Sequence, residues 1–417
     1  MDLKGKTALV LGNGTSGKGA ASALRRAGAV PIVEETDGMP KAIDKCDLVI
    51  VSPGIPLKHP VFAYAALHDI PVMGEIGLGA CFNAAPVIAV TGTNGKTSTV
   101  GMLECIYRAA GIDAAVCGNI GRSFADTVSK RAYERVILEL SSFQLLRAHP
   151  LRVHVACITN VTEDHLDYHG SMMEYRHAKL RIADGQTAED TLVIPDKLSL
   201  VGLRGYPTVV KHGEASEYRD GGLYVFGKRV AEIADMRVKG EHDRENAANA
   251  AIVASADGIA PEYISAGLAA FEPPPYRIAF VGEAGGTSFY DDSKGTNAAA
   301  TLAALKCMKG NVALIAGGSD KGCDFDDLFR EMPEGVRAVF VTGANARKLC
   351  AAAARSGYSD IAVCESLGEA VRRAADGGFD NVLFSPASAS FDRYADYKER
   401  GDAFESEVRK LFDPENE

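Results

Sequence analysis

No CxxC pair occurs among the nine cysteines scattered from Cys46 to Cys364, and their number is odd. That argues against a disulfide framework and a cysteine-built zinc cluster, and points to a reducing compartment. Nor is there a basic excess: 45 Lys and Arg stand against 55 Asp and Glu, a formal net charge of −10. A nucleic acid or an anionic membrane is thereby disfavoured as the main partner, and anionic ligands must be met at local sites. No window reaches the roughly 18 uncharged apolar residues of a membrane span. The opening MDLKGKTALVLG lacks a long apolar core before a small-residue cleavage site, so a cytoplasmic location without membrane insertion is expected. Short-period repeats and low-complexity tracts are absent too, which leaves motifs rather than composition to carry function.

What is present is a chain of 417 residues, 47% hydrophobic and 24% charged. This is the balance of a soluble globular protein, and at roughly 100 to 200 residues per domain the length holds two to four domains. Three apolar runs lead straight into glycine-rich turns: TALVLGNG (7–14), PVIAVTGTNGKT (86–97) and NVALIAGGSDKG (311–322). Uninterrupted Val, Ile, Leu and Ala predict strands buried on both faces, as in parallel sheets covered by helices, and so an α/β fold. AASALRRAG followed by VPIVEE completes a βαβ unit after the first run. A boundary is expected near residue 83, and the triple proline of FEPPPYR (271–277) marks a linker. Three domains follow: 1–83, 84–273 and 274–417.

GNGTSGKG (12–19) half-fits two phosphate-binding patterns. Gly12, Gly14 and Gly17 make GxGxxG, while Gly12, Gly17 and Lys18 make most of a P-loop. Gly19, however, stands where a P-loop needs a hydroxyl for magnesium. VTGTNGKTST (90–99) has what that stretch lacks. Gly92 and Gly95 free the backbone to wrap a phosphate, Lys96 supplies a cation and Thr97 a hydroxyl, all at a helix N-terminus. Position 90 is Val where the full pattern has Gly. Some 40 residues on, the apolar run RVILEL delivers Glu139 at a strand end, where a carboxylate can reach a metal held by Thr97. In NVTEDHLDYHG, His165 and His169 are four apart and would share a helix face; zinc is one reading, and a single His serving magnesium or substrate is the other.

TGTNGKTS, ELSSFQL, NVTEDHLD and AKLRI, in that order and spacing, resemble the Mur ligase family of ATP-dependent amide-bond-forming enzymes. GNIG (118–121), DDSKGTN (291–297), GGSDKGCDF (317–325) and SPASASFD (385–392) resemble its D-glutamate-adding branch, and the likeness covers nearly the whole chain. The resemblance implies a Rossmann-like N-terminal domain for UDP, a central P-loop-type ATPase domain with a mostly parallel sheet, and a Rossmann-like C-terminal domain for the amino acid. The implied substrates are UDP-N-acetylmuramoyl-L-alanine, D-glutamate and ATP, with two Mg²⁺ ions and a monomeric chain.

The residue roles come from the same resemblance. Gly92, Thr93, Asn94, Gly95, Lys96, Thr97 and Ser98 would hold the ATP phosphates, and Asn246, Arg277, Asp292, Lys294 and Thr296 the nucleoside end. Lys96 would neutralise the transferring phosphoryl group, Thr97 and Glu139 one Mg²⁺, and His165 the second. Lys179 corresponds to a lysine that the family carbamylates, its carbamate facing that second ion. Thr15, Ser16, Thr36 and Ser52 would contact the UDP moiety, Asn119, Ser141 and Gln144 the muramoyl-alanine end, and Lys321, Ser390, Phe391 and Tyr397 the D-glutamate. Asp243, Tyr276 and Asp37 depart from the family's usual Asn, His and basic residue. Rival readings are another amide ligase of the family, an NAD-dependent oxidoreductase using Glu34 or Glu35, and a non-catalytic nucleotide binder.

Overall fold

The computed structural model describes residues 2–35, 38–236, 241–273, 275–320 and 324–412. The chain divides into two compact units, one of Met1–Val161, Gly170–Val238 and Arg244–Phe271, the other of Thr162–His169, Lys239–Asp243 and Glu272–Glu417. The second unit takes over inside the proline-rich stretch.

The first unit carries two parallel sheets. Strands β1 (Thr7–Leu11), β2 (Val30–Glu34), β3 (Leu48–Val51) and β4 (Val72–Gly74) lie in the order β2-β1-β3-β4. Strands β5 (Val87–Thr91), β6 (Ala114–Gly118), β7 (Arg135–Glu139), β8 (Val155–Ile158), β9 (Thr191–Ile194) and β10 (Thr208–Lys211) form the second, in the order β10-β9-β8-β5-β7-β6. All its neighbours are parallel. The predicted two-faced burial holds: all of β5 is buried, Ile88 and Val90 entering one core and Val87 and Ala89 the other. Each Val or Ile among them taken from water contributes about 1.5–3 kcal/mol. The chain leaves β5 towards β6 on one side and returns through β7 to β8 on the other. The carboxyl ends of β5, β7 and β8 therefore surround a crevice at a topological switch point.

Beyond β10 lies a small antiparallel sheet of β11 (Ser216–Arg219), β12 (Gly222–Val225) and β13 (Lys228–Glu232), announced by no more than the short run LYVF (223–226). The second unit has six strands, β14 (Ala279–Ala284), β15 (Thr287–Asp291), β16 (Val312–Ala316), β17 (Val336–Val341), β18 (Ile361–Val363) and β19 (Asn381–Phe384). Their order is β14-β15-β19-β16-β17-β18, parallel except for the edge pair β14–β15. In β16, Leu314 faces one core and Ala313 and Ile315 the opposite one.

Candidate active site

β5 ends at Thr91, and the helix Lys96–Ala109 begins five residues later. Between them the backbone turns through Gly92 (φ 151°) and Gly95 (φ 82°), conformations that glycine alone adopts at no steric cost. Contacts are close as well: a Cβ on Gly92 would lie 1.9 Å from Thr159 Oγ1, and one on Gly95 2.2 Å from Asn246 Oδ1. The end of β8 braces the loop. Asn160 accepts from Thr93 N–H on its carbonyl (3.0 Å) and from Asn94 N–H on Oδ1 (2.9 Å), and Thr159 Oγ1 donates to the Asn94 carbonyl at 2.6 Å. Lys96 Nζ donates to the carbonyls of Gly92 (2.9 Å) and Thr93 (2.8 Å), so its charge is held over the loop. Thr97 and Ser98 follow in the first helical turn. Asn246, 5% exposed, lies against the same loop.

Glu139 is the last residue of β7, which pairs directly with β5. It is 2% exposed; Oε1 accepts from Asn119 Nδ2 at 2.8 Å, while Oε2 is buried with no hydrogen-bond partner. An unpartnered buried carboxylate oxygen is costly unless something else meets it. A hard cation wants such an oxygen, so the donor set of Glu139 and the Thr97 hydroxyl fits Mg²⁺. Ser141 and Gln144 engage each other: Ser141 caps the helix Ser142–Leu145, and Gln144 Oε1 accepts from Ser141 N–H at 2.9 Å and Oγ at 3.0 Å. Lys179 lies in the last turn of the helix Met172–Leu180, 2% exposed, with Nζ 4.3 Å from the Tyr175 ring centroid. Tyr175 OH is in turn 3.2 Å from Thr93 Oγ1, which ties this helix to the phosphate loop.

At the first glycine turn, a Cβ on Gly17 would lie 1.9 Å from the Gly12 carbonyl oxygen and 3.6 Å from Ser52 Oγ. The glycine thus permits close packing of helix on strand, as in dinucleotide folds. Ser52 Oγ is buried without a partner. Ser52 and Gln144 line one small cleft, together with Glu75 and Arg147. Thr15 and Ser16 open the helix Thr15–Arg26. Lys18 is exposed on that helix and does not cover the loop as Lys96 does. Glu34, which an NAD reading would assign to a ribose, accepts instead from the N–H groups of Lys41 and Ala42, both at 2.8 Å. Thr36, Asp37 and Lys321 lie outside the described residues.

The second unit brings together another set. His165 adopts a left-handed backbone (φ 56°) and precedes the helix Leu166–His169. It therefore does not share a helix face with His169, contrary to the spacing. Strain of this kind in a non-glycine residue is a marker of functional sites. Asp164, 5% exposed, accepts from His165 N–H at 2.9 Å and from Asn297 Nδ2 at 3.3 Å. Asp292 is fully buried and bonded to Ser385 Oγ at 2.7 Å, with Oδ1 unpartnered; burial pushes its carboxyl up to about 6 against the pull of Arg277. Arg277 Nε is also buried and unpartnered. Lys294 Nζ is 5.6 Å from the Tyr397 ring centroid, and Thr296 is half-buried. Ser390 is 2% exposed whereas Phe391 beside it is 72% exposed.

Two family models match: the Mur ligase middle domain over residues 90–254, and the Mur ligase, glutamate ligase domain over 276–387. The UDP-N-acetylmuramoylalanine–D-glutamate ligase of Caldanaerobacter subterraneus subsp. tengcongensis is 35% identical, over 99% of this chain and 100% of that protein. The chain belongs to the Mur ligase family. The like-named ligase of Chlorobaculum tepidum is 36% identical over 98% of this Mur ligase and 99% of its own length. Among solved structures, MurF from Acinetobacter baumannii superposes with a TM-score of 0.64 at 20% identity, covering 88% of this chain and 85% of that one. MurF from Thermotoga maritima in complex with ADP gives 0.61 at 16%, covering 98% and 96%. These likenesses bear out the α/β fold class.

Several residues of this Mur ligase went unmarked in its sequence. Asn160 opens the motif NVTEDHLD and Thr159 directly precedes it, but nothing in that motif marks either as a brace of the phosphate loop. Asp291, directly before Asp292, is likewise fully buried, and burial pushes it up to about 7. Arg400, 3% exposed, donates to Ser293 and to the Ser388 carbonyl (2.9 Å), and burial lowers its guanidinium to about 10. The adjacent acids of DDSKGTN were the available signal for Asp291; nothing local flags Arg400.

Proposed function

We infer that this chain joins D-glutamate to UDP-N-acetylmuramoyl-L-alanine with hydrolysis of ATP, a cytoplasmic step in making a peptidoglycan precursor. The observation that carries the reading is Glu139, a buried carboxylate with one oxygen committed to Asn119 and the other open, on the strand beside the glycine loop. The names of the full-length relatives supply the substrates.

Water at neutral pH offers no route from carboxylate and ammonium to amide, because hydroxide leaves poorly and the amine is protonated. Transfer of the ATP γ-phosphate to the substrate carboxylate makes an acyl phosphate, which the amino group of D-glutamate attacks through a tetrahedral intermediate. Amide, ADP and phosphate are the products. Lys96 and the loop N–H groups offset charge on the phosphoryl group in flight. Thr97 and Glu139 would hold Mg²⁺, which when bound supplies electrostatic clamping of the phosphate oxygens. His165 and a carbamate on Lys179 are the proposed ligands of a second ion. Burial of Lys179 suits that role, since CO₂ reacts with the neutral amine and a low-dielectric surround disfavours the ammonium. Asn246, Arg277, Asp292, Lys294 and Thr296 are proposed to hold the nucleoside part of ATP. Lys321, Ser390, Phe391 and Tyr397 are proposed for D-glutamate, and Thr15, Ser16, Thr36, Ser52, Asn119, Ser141 and Gln144 for the sugar nucleotide. Exclusion of water protects the acyl phosphate, and orientation of amine against it is worth up to about 7–11 kcal/mol. The division 1–83, 84–273 and 274–417 belongs to the same proposal, each segment with its own parallel or mostly parallel sheet.

The test is phosphate release with ATP and UDP-N-acetylmuramoyl-L-alanine, run with D-glutamate, L-glutamate, L-alanine and meso-diaminopimelate in turn. D-glutamate alone gives a strong signal, and Lys96→Ala abolishes it. Equal rates with another amino acid would reassign the substrate.

A further inference from the structure

Tyr276 and Ile278, on either side of Arg277, both adopt a left-handed backbone, at φ 61° and 46°. Glycine takes that conformation at no steric cost, so a bulky residue kept there is kept for its side chain. For Ile278 the reason is the core, where it is 2% exposed. Tyr276 is only half-buried, and its ring turns instead to the helix Tyr397–Arg409.

That helix is shaped to receive it. At Gly401, one turn beyond Tyr397, a Cβ would lie 2.3 Å from Tyr276 Cδ1, so the glycine lets the ring lie against the helix. The ring then meets that of Tyr397 in a T-shaped pair, centroids 6.2 Å apart and planes at 77°, a geometry that aromatic pairs favour. Tyr276 OH donates to Asp402 Oδ1 at 2.6 Å, and the Tyr276 carbonyl accepts from Lys294 N–H at 3.2 Å. Lys294 in turn places its Nζ 5.6 Å from the Tyr397 ring centroid, and Ser293 Oγ donates to the Tyr397 carbonyl at 2.8 Å. Main chain and ring of Tyr397 are thus both held.

We propose that Tyr276 is a positioning residue for the amino-acid substrate, fixing the ring of Tyr397 and through it the affinity for D-glutamate. This rests on the ligase reading above and on the place given there to Tyr397. A ring fixed before the ligand arrives spares binding the cost of ordering it. The ring of Tyr276 carries the effect rather than its hydroxyl, because Asp402 is exposed and a hydrogen bond to a solvated acceptor contributes little.

Calorimetric titration of the full chain with D-glutamate, beside a non-hydrolysable ATP analogue, tests this without turnover. Tyr276→Ala keeps a left-handed L-residue and removes the ring, and should lose about three- to tenfold in D-glutamate affinity, the share of one immobilised side chain. Tyr276→Phe keeps the ring and should stay close to the wild type. In the phosphate-release assay KM for D-glutamate should rise by the same factor in Tyr276→Ala, with kcat and the KM for ATP within about twofold. A purely structural role predicts lower thermal melting with KM unchanged. Should the alanine variant fail to fold, Tyr276→Gly, which relieves the backbone as well as removing the ring, should show the same loss. Unchanged D-glutamate affinity without the ring, an equal loss in Tyr276→Phe, or no binding of D-glutamate by the wild type overturns the proposal. If phosphate release is normal and KM ignores Tyr276→Ala, the positioning role fails and the ligase reading stands. If D-glutamate binds with the stated loss while no phosphate is released, the ligase reading fails and the positioning role stands.

Discussion

Gly95→Ala separates two costs that the phosphate loop avoids by using glycine. At φ 82° an L-residue pays about 1–2 kcal/mol for the left-handed backbone. The added Cβ would also lie 2.2 Å from Asn246 Oδ1 and 3.1 Å from its Cγ, and at 5% exposure Asn246 has little solvent to move into. Overpacking of this kind costs about 1–3 kcal/mol. The sum is about 2–5 kcal/mol off the unfolding free energy, read by urea denaturation, with a raised KM for ATP as Asn246 is displaced. Asn246→Ala removes the opposing amide. In that background Gly95→Ala should cost only the backbone share, giving a coupling of about 1–3 kcal/mol in a double-mutant cycle. Strict additivity would refute the steric part of this reasoning, and a Gly95→Ala protein as stable as the wild type would refute all of it.

Glu139→Gln keeps an acceptor for Asn119 and removes the charge, so kcat should fall about 100- to 1000-fold and the half-saturating Mg²⁺ concentration should rise, with folding intact by circular dichroism; a change within about twofold would deny the metal role. Lys179→Ala should be nearly inactive at every bicarbonate concentration, and an undiminished rate in bicarbonate-depleted buffer would exclude the carbamate. Asp292 concerns stability against pH. Burial raises its native value from 3.8 to about 6, so the native state holds a proton that the unfolded chain has released. The resulting stabilisation is complete below the unfolded value and is lost as pH rises through about 6. Asp292→Asn should flatten the fall in stability between about pH 4 and 6, measured by denaturation at each pH; an unchanged slope would mean the carboxyl is ionised throughout.

Much of this was legible because strands buried on both faces must be apolar throughout: β1, β5 and β16 read directly into their glycine turns. Glu139 was legible for the related reason that an acid closing such a run has to sit at a strand end. Other features have no such signature. β11 to β13 are short, and β11 has one exposed face, so the four residues LYVF (223–226) are their one apolar run. The brace from Asn160 depends on β8 lying beside β5, a consequence of strand order. Arg400 meets Ser293 across more than 100 residues of sequence. The spacing of His165 and His169 suggested a shared helix face, and the left-handed backbone at His165 removed it.

The central claim is that the γ-phosphate of ATP passes to the substrate carboxylate before the amide forms. UDP-N-acetylmuramoyl-L-alanine carrying ¹⁸O in its carboxylate, turned over with ATP and D-glutamate, tests that transfer by mass spectrometry of the released phosphate. Attack of the amine at the acyl carbon breaks the C–O bond, so the account predicts one labelled oxygen in each phosphate. Peptide product accompanied by unlabelled phosphate would contradict it.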